Sequence, residues 1–122
     1  MILDELRTYI IGYGGSFSAA NTFIDFMPAT PTDAIMIAFG VDSEVSDGLT
    51  IIRRDVDIFV RRSNFSNAVS WCEELETMLH DKQHISSEIK YIKILEATKE
   101  QGIGEKEESV FSLTFQLITV RS

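Results

Sequence analysis

Leu49-Thr50-Ile51-Ile52-Arg53-Arg54-Asp55-Val56-Asp57-Ile58-Phe59-Val60-Arg61-Arg62 runs through the corner Ser63-Asn64 into an amphipathic segment over residues 64–80. Two hydrophobic periods meet at that corner. In the first, Ile52, Val56, Ile58 and Val60 fall on one side with Arg54 among them, while Arg53, Asp55, Asp57, Phe59 and Arg61 fall on the other. A period of two marks a strand with one buried and one largely solvated face. In the second, Ala68, Val69, Cys72, Leu75 and Leu79 recur at helical spacing, with Trp71 and Met78 widening the stripe. Glu73, Glu74 and Glu76 lie mostly outside it, so the helix has a core face and an acidic face. Asn64 suits the N-cap, where its side-chain oxygen can accept a free backbone N–H of the first turn. His80 and Lys82 place positive charge near the C-terminal end of the dipole. The short corner predicts a helix folded back onto the buried face of its own strand.

Outward from this unit, the chain of 122 residues suffices for one domain with a core but hardly for two. A formal net charge of -8 argues against general nucleic-acid binding and against an anionic membrane surface. The single cysteine, Cys72, cannot form an intramolecular disulfide and sits on the apolar helix stripe, as a small core residue does. The opening Met1-Ile2-Leu3-Asp4-Glu5-Leu6 lacks the basic region and apolar run of a signal peptide, and no segment is long and apolar enough to span a bilayer. Synthesis in the cytosol, with no membrane partner, is expected.

Upstream, Ile2, Leu3, Leu6, Tyr9 and Ile10 share one side of a short helix with Asp4 and Glu5 in its first turn, and Gly12 and Gly14-Gly15 end it. Residues 16–21 read as a loop and residues 22–27 as a short extended run stopped by Pro28 and Pro31. Asp33 to Gly40 reads as a strand whose nearly all-apolar run Ala34-Ile35-Met36-Ile37-Ala38-Phe39 is covered on both faces or, on one face, by a neighbouring subunit. An acidic loop closing with Asp47-Gly48 makes an antiparallel return to the charged strand. Downstream, residues 88–98 favour a strand through their β-branched content, with a helix as the alternative, and residues 99–109 read as a mobile charged loop. A last strand alternates Phe111, Leu113, Phe115 and Leu117 with Ser112, Thr114 and Gln116. The fold class that follows is α+β, with a mixed, mainly antiparallel sheet and two helices packed on one of its faces.

No catalytic constellation stands out. His80 and His84 are four apart without an HExxH context, and solvated histidines at a helix end explain them better than a metal site. Gly12-Tyr13-Gly14-Gly15-Ser16 follows a helix and lacks the Lys-Ser/Thr of a phosphate loop. Glu105, Glu107 and Glu108 would repel phosphate from Gly102-Ile103-Gly104, and no Gly-x-Ser-x-Gly elbow is present. Asp55 and Asp57 project together beside Arg53 and Arg61, where cross-strand ion pairs on a solvated face explain them without catalysis. Arg53-Arg54 and Arg61-Arg62 are too few for a nucleic-acid patch. Trp71 and Met78 read as core or core rim, with an apolar docking patch as the alternative.

The order of elements carries a resemblance. A short helix leads to Met27-Pro28-Ala29-Thr30-Pro31-Thr32-Asp33-Ala34; an apolar strand follows, then a charged strand ending in Val60-Arg61, then a helix with the early Ala68. Gly102-Ile103-Gly104-Glu105 and the strand Phe111-Ser112-Leu113-Thr114-Phe115 close the chain. This resembles the tail-terminator, or tail-completion, proteins of long-tailed bacteriophages, including the phage minor capsid protein family. The final loop departs from the more basic or more regular pattern usual there, reading Gly104-Glu105-Lys106-Glu107-Glu108.

The resemblance implies a non-enzymatic virion protein without cofactors. It would form a ring, commonly a hexamer, at the head-proximal end of the tail after assembly in the host cytoplasm. Its partners would be its own copies, the tail-tube protein and the head connector, with the genome passing unbound. Met27, Pro28, Pro31, Arg53, Asp55, Asp57, Arg61, Glu105, Glu107 and Glu108 are the positions expected at such interfaces. Acidic lumen residues would discourage phosphate from sticking. A head-completion or neck protein, a monomeric cytosolic binding module and, last, a small hydrolase are the alternatives.

Overall fold

The computed structural model describes residues 2–40, 45–46, 51–103 and 108–120. Helix α1 spans Ile2–Gly12 and strands β1 and β2 span Thr22–Ile24 and Ala34–Phe39. The two-residue β3, Val45–Ser46, precedes β4, Ile51–Arg62, and helix α2, Phe65–Leu79. Strands β5, Lys82–Gln83, β6, Ile89–Ile103, and β7, Ser109–Val120, complete the chain. The sheet order is β1-β2-β4-β7-β6-β5; β1 and β2 are parallel and the other pairs antiparallel. β3 pairs with β4 opposite Arg53 and Ile52, beyond the end of β2, so β2 and β3 follow one another along the same edge of β4. The architecture is α+β with a mixed, mainly antiparallel sheet.

The two periods read around the corner at residues 63–64 become the two layers of the core. Ile52, Val56, Ile58 and Val60 of β4 are buried, as are Ala68, Trp71, Cys72, Leu75, Met78 and Leu79 of α2. Phe111, Leu113, Phe115 and Leu117 extend that layer across β7, and Ile2, Leu3, Leu6 and Ile10 of α1 join the same cluster. Both helices therefore share one face of the sheet. Asn64 closes the start of α2, accepting from the Asn67 N–H at 2.9 Å. Asn64→Ala should cost about 1 kcal/mol, read as a lowered urea midpoint at unchanged slope.

Two local expectations are corrected. β1 ends at Ile24, before either proline, because Asp25 turns into the left-handed region at φ 59 while its N–H donates to the Ile37 carbonyl. β6 continues through Ile103, over residues expected to be loop. It pays for its weak alternation with register shifts at four points, yet Lys99, Glu100, Gly102 and Ile103 all find partners on β7. A charged segment can extend a sheet when its neighbour supplies a strongly patterned strand to pair with. His80 is exposed at the C-cap of α2, as expected of a helix-end histidine; its backbone N–H donates to the Glu76 carbonyl and its Nδ1 accepts from the Ile94 N–H at 3.1 Å.

Candidate interaction surface

One face of the sheet carries no helix among the described residues. Met36 and Ala38 of β2, Phe59 of β4, Ser112, Thr114, Gln116 and Ile118 of β7 and Tyr91 and Lys93 of β6 share this face by register, and all are half-buried. The mixed composition is what period two leaves on the solvated side of an amphipathic sheet. Asp57 belongs here too. Its Oδ1 accepts from the Thr114 hydroxyl across the β4–β7 pair at 2.7 Å, so a neutral hydroxyl is the partner where an arginine was expected.

The loop 25–33 folds over one side of that face. Arg61 projects from β4 beside Ala34 and donates to three of its carbonyls: Nε to Thr32 at 2.8 Å, and one terminal nitrogen to Pro28 at 2.5 Å and Pro31 at 2.8 Å. Proline cannot donate to a ladder, so a proline segment leaves carbonyls unclaimed; a guanidinium fork gathers several at once. Beneath the loop Ala34 is fully buried. The Asp33 carboxylate anchors the loop's end, accepting from the Ser63 N–H at 2.8 Å and lying 3.5 Å from the Arg62 guanidinium. Arg62 in turn lies 4.2 Å above the Trp71 ring, whose other neighbour is Phe17, edge-on at 5.0 Å.

This held loop presents Phe26 to solvent, 65% exposed. Phe65, at the first turn of α2, is 57% exposed although it packs edge-on against Phe111. Large aromatics in solvent on an otherwise well-buried fold mark contact positions more often than isolated aliphatics do. At the far edge of the sheet β5 meets β6 only at Ile92 and Tyr91, and no further strand covers the outer edge of β6 among the described residues. Between α1 and the β5–β6 connection lies an open surface recess of about 260 Å³, lined by Asp4, Glu5, Thr8, Tyr9, Ile85 and Ser86.

Of the positions singled out from sequence, Pro28, Pro31 and Arg61 meet in one contact. Met27 is half-buried in the same loop. Arg53 is exposed and Asp55 half-buried, and both stand at the other end of β4, away from the loop. Glu108 is half-buried and engaged; Glu105 and Glu107 lie outside the described residues, as does Asp47-Gly48. Phe26, Asp33 and Glu74 were not singled out for these contacts. Glu74 receives the Ser16 N–H and hydroxyl, each at 2.7 Å, and passes so close to Gly15 that a Cβ there would collide with it. Only the small residues of Gly14-Gly15-Ser16 hint at such an approach. No group of three metal-ligating side chains occurs among the described residues, and no helix is long and apolar enough to cross a membrane.

Neither a family model nor a curated protein matches the chain. Solved structures do. A chain of the virion of a native gene transfer agent particle aligns at 15% identity and TM-score 0.62, over 98% of this chain and 92% of that one. A second solved chain aligns at 10% identity and the same TM-score, over 99% of this chain and 94% of that one. Identities this low establish a shared fold, along nearly the whole of each chain.

Proposed function

We propose that this chain is a structural protein of a phage-like virion, one that caps the tail tube, ends its polymerisation and joins the tail to the head connector. The observation that carries the reading is the fold shared, end to end, with a chain of a gene transfer agent virion. The order of elements around Pro28-Ala29-Thr30-Pro31 points the same way.

The surface suits docking better than chemistry. A helix-free face, a long bare strand edge and exposed aromatics can each take part in a heterologous contact, in which a subunit gives one surface and receives another. In this role the chain makes and breaks no bond. Its partners are its own copies in a ring, the tube protein below and the connector above, and its excess of acid lets the genome pass without adhering.

The test is tube growth. Added at a small fraction of the tail-tube protein's concentration, the purified chain should arrest polymerisation and appear as density at one tube end in electron micrographs. An unrelated protein of similar acidity should do neither. Tubes that lengthen freely in its presence would overturn the reading; binding to the connector without arrest would make the chain a neck protein instead.

A further inference from the structure

We infer that His80 is an acid-loosened latch: its neutral imidazole holds the turn 80–84 against the outer edge of β6, and protonation of the ring loosens that edge. The release needs no second copy and no partner, so it stands apart from the proposed tail role.

The ring takes the place of a strand. β5 contributes only two residues to the ladder, Lys82 opposite Ile92 and Gln83 opposite Tyr91. Carried back along the chain, that antiparallel register would set residue 80 opposite Ile94. Asp81 interrupts it, turning into the left-handed region at φ 58 just after α2. The His80 side chain supplies the acceptor instead, its Nδ1 lying 3.1 Å from the Ile94 nitrogen. The ring is aimed from a fixed point, because the His80 N–H donates to the Glu76 carbonyl at 2.9 Å. On β6 the pairing with β7 slips at the same place, between Ile94 and Glu96. Two further bonds hold the turn: the Tyr91 hydroxyl donates to the Asp81 carboxylate, and the His84 N–H donates to the Lys90 carbonyl at 2.9 Å.

A backbone N–H can only donate, so the ring nitrogen facing it carries a lone pair and the proton of the neutral ring sits on Nε2. Protonation puts a hydrogen on Nδ1 as well, and two donors then face each other. Histidine is the side chain whose ordinary charge change falls between about pH 5 and 8. The charged residues that the chain and the register bring to this corner are Glu76 on α2, Asp81 and Lys82 on the turn, and Lys93 and Glu96 on β6, with His84 and Lys90 at the turn's other end. Acids and bases are mixed, so no field of one sign keeps the proton away. Glu76 precedes His80 by four residues, the spacing at which a helix brings an acid and a following cation together. The charged ring therefore has a direction in which to turn as it leaves Ile94. The turn keeps its two ladder residues and the bonds at Asp81 and His84, so it frays more often rather than coming off outright. Each opening bares the edge of β6 from Tyr91 onward, and bare edges are where strands add.

Two magnetic-resonance measurements on the full chain test the latch. Ring-nitrogen shifts at about pH 8 should report the Nε2–H tautomer for His80. Amide exchange at Ile94, corrected for its intrinsic pH dependence, should lose protection roughly two- to tenfold between about pH 8 and about pH 5, as befits one modest hydrogen bond, while the β7 amides keep theirs. His80→Gln, which takes no proton, should give Ile94 the same protection at both pH values. His80→Ala should give the low value at both. Asp81→Asn tolerates the left-handed turn and still offers Tyr91 an acceptor, but removes the neighbouring carboxylate; the pH response should survive in it. An Nδ1–H tautomer, an Ile94 amide indifferent to pH, a loss shared equally by β7, or a response that persists in His80→Gln would each overturn the latch. None of these outcomes bears on tube arrest, which tests the proposed role alone.

Discussion

Phe115→Ala should remove about 3–5 kcal/mol of folding stability, the usual cost of emptying a phenylalanine site in a packed core. Phe115 is fully buried on β7, the strand flanked by both of the other long strands. It stands opposite Val56 on one side and Ile94 on the other, on the face that α1 and α2 cover. The three strands and two helices that meet there cannot all close inward on a missing ring, so a cavity remains and adds to the lost transfer energy. Domains of this size hold roughly 5–15 kcal/mol in total, so the variant should sit near its unfolding threshold at physiological temperature. Urea denaturation would read the loss as a lowered midpoint. Phe115→Leu, which keeps most of the volume, should lose about 1–2 kcal/mol. Equal losses for the two would mean the site is looser than its burial indicates.

Arg61→Ala should be the second largest effect, about 2–3 kcal/mol. Each hydrogen bond from a charged donor contributes about 1.5–3 kcal/mol, but the carbonyls of Pro28, Pro31 and Thr32 lie near solvent and regain water, so the three do not sum. The loss should be local in character. Amide exchange should rise across residues 25–33 and stay protected in β4 and β7. Arg61→Lys should recover only part, because a single ammonium cannot reproduce the fork that meets three carbonyls. Unchanged exchange in the loop would mean that the prolines and Asp33 hold it without the arginine.

The two predictions differ in how visible their residues are in sequence. Phe115 announces itself, since Phe111, Leu113, Phe115 and Leu117 alternate with polar neighbours over a full strand, and alternation has one economical explanation. Arg61 sits in an equally clear pattern, on the side facing away from the helices, but the pattern says only that it is not core. Its partners are main-chain carbonyls 29, 30 and 33 positions away, and every residue type carries such a carbonyl. Asp57 has the same limit: opposite charges nearby implied an ion pair, and the register chose Thr114. The end of β6 was hidden for another reason. Residues 99–103 have a loop's composition, and only β7 alongside makes a strand of them.

Local order came from the chain itself: both helices, the buried stripe of each long strand, the cap at Asn64 and the lack of a recognisable catalytic motif. These depend on spacings of two to four residues, within reach of a single element's own periodicity. Which elements lie side by side depended on the folded whole. The parallel placement of β1, the loop drawn over the helix-free face and the exposure of Phe26 come from contacts between residues far apart in sequence. Such contacts form only when the hydrophobic layers have already fixed the distances between elements, and no pattern along the chain encodes those distances directly.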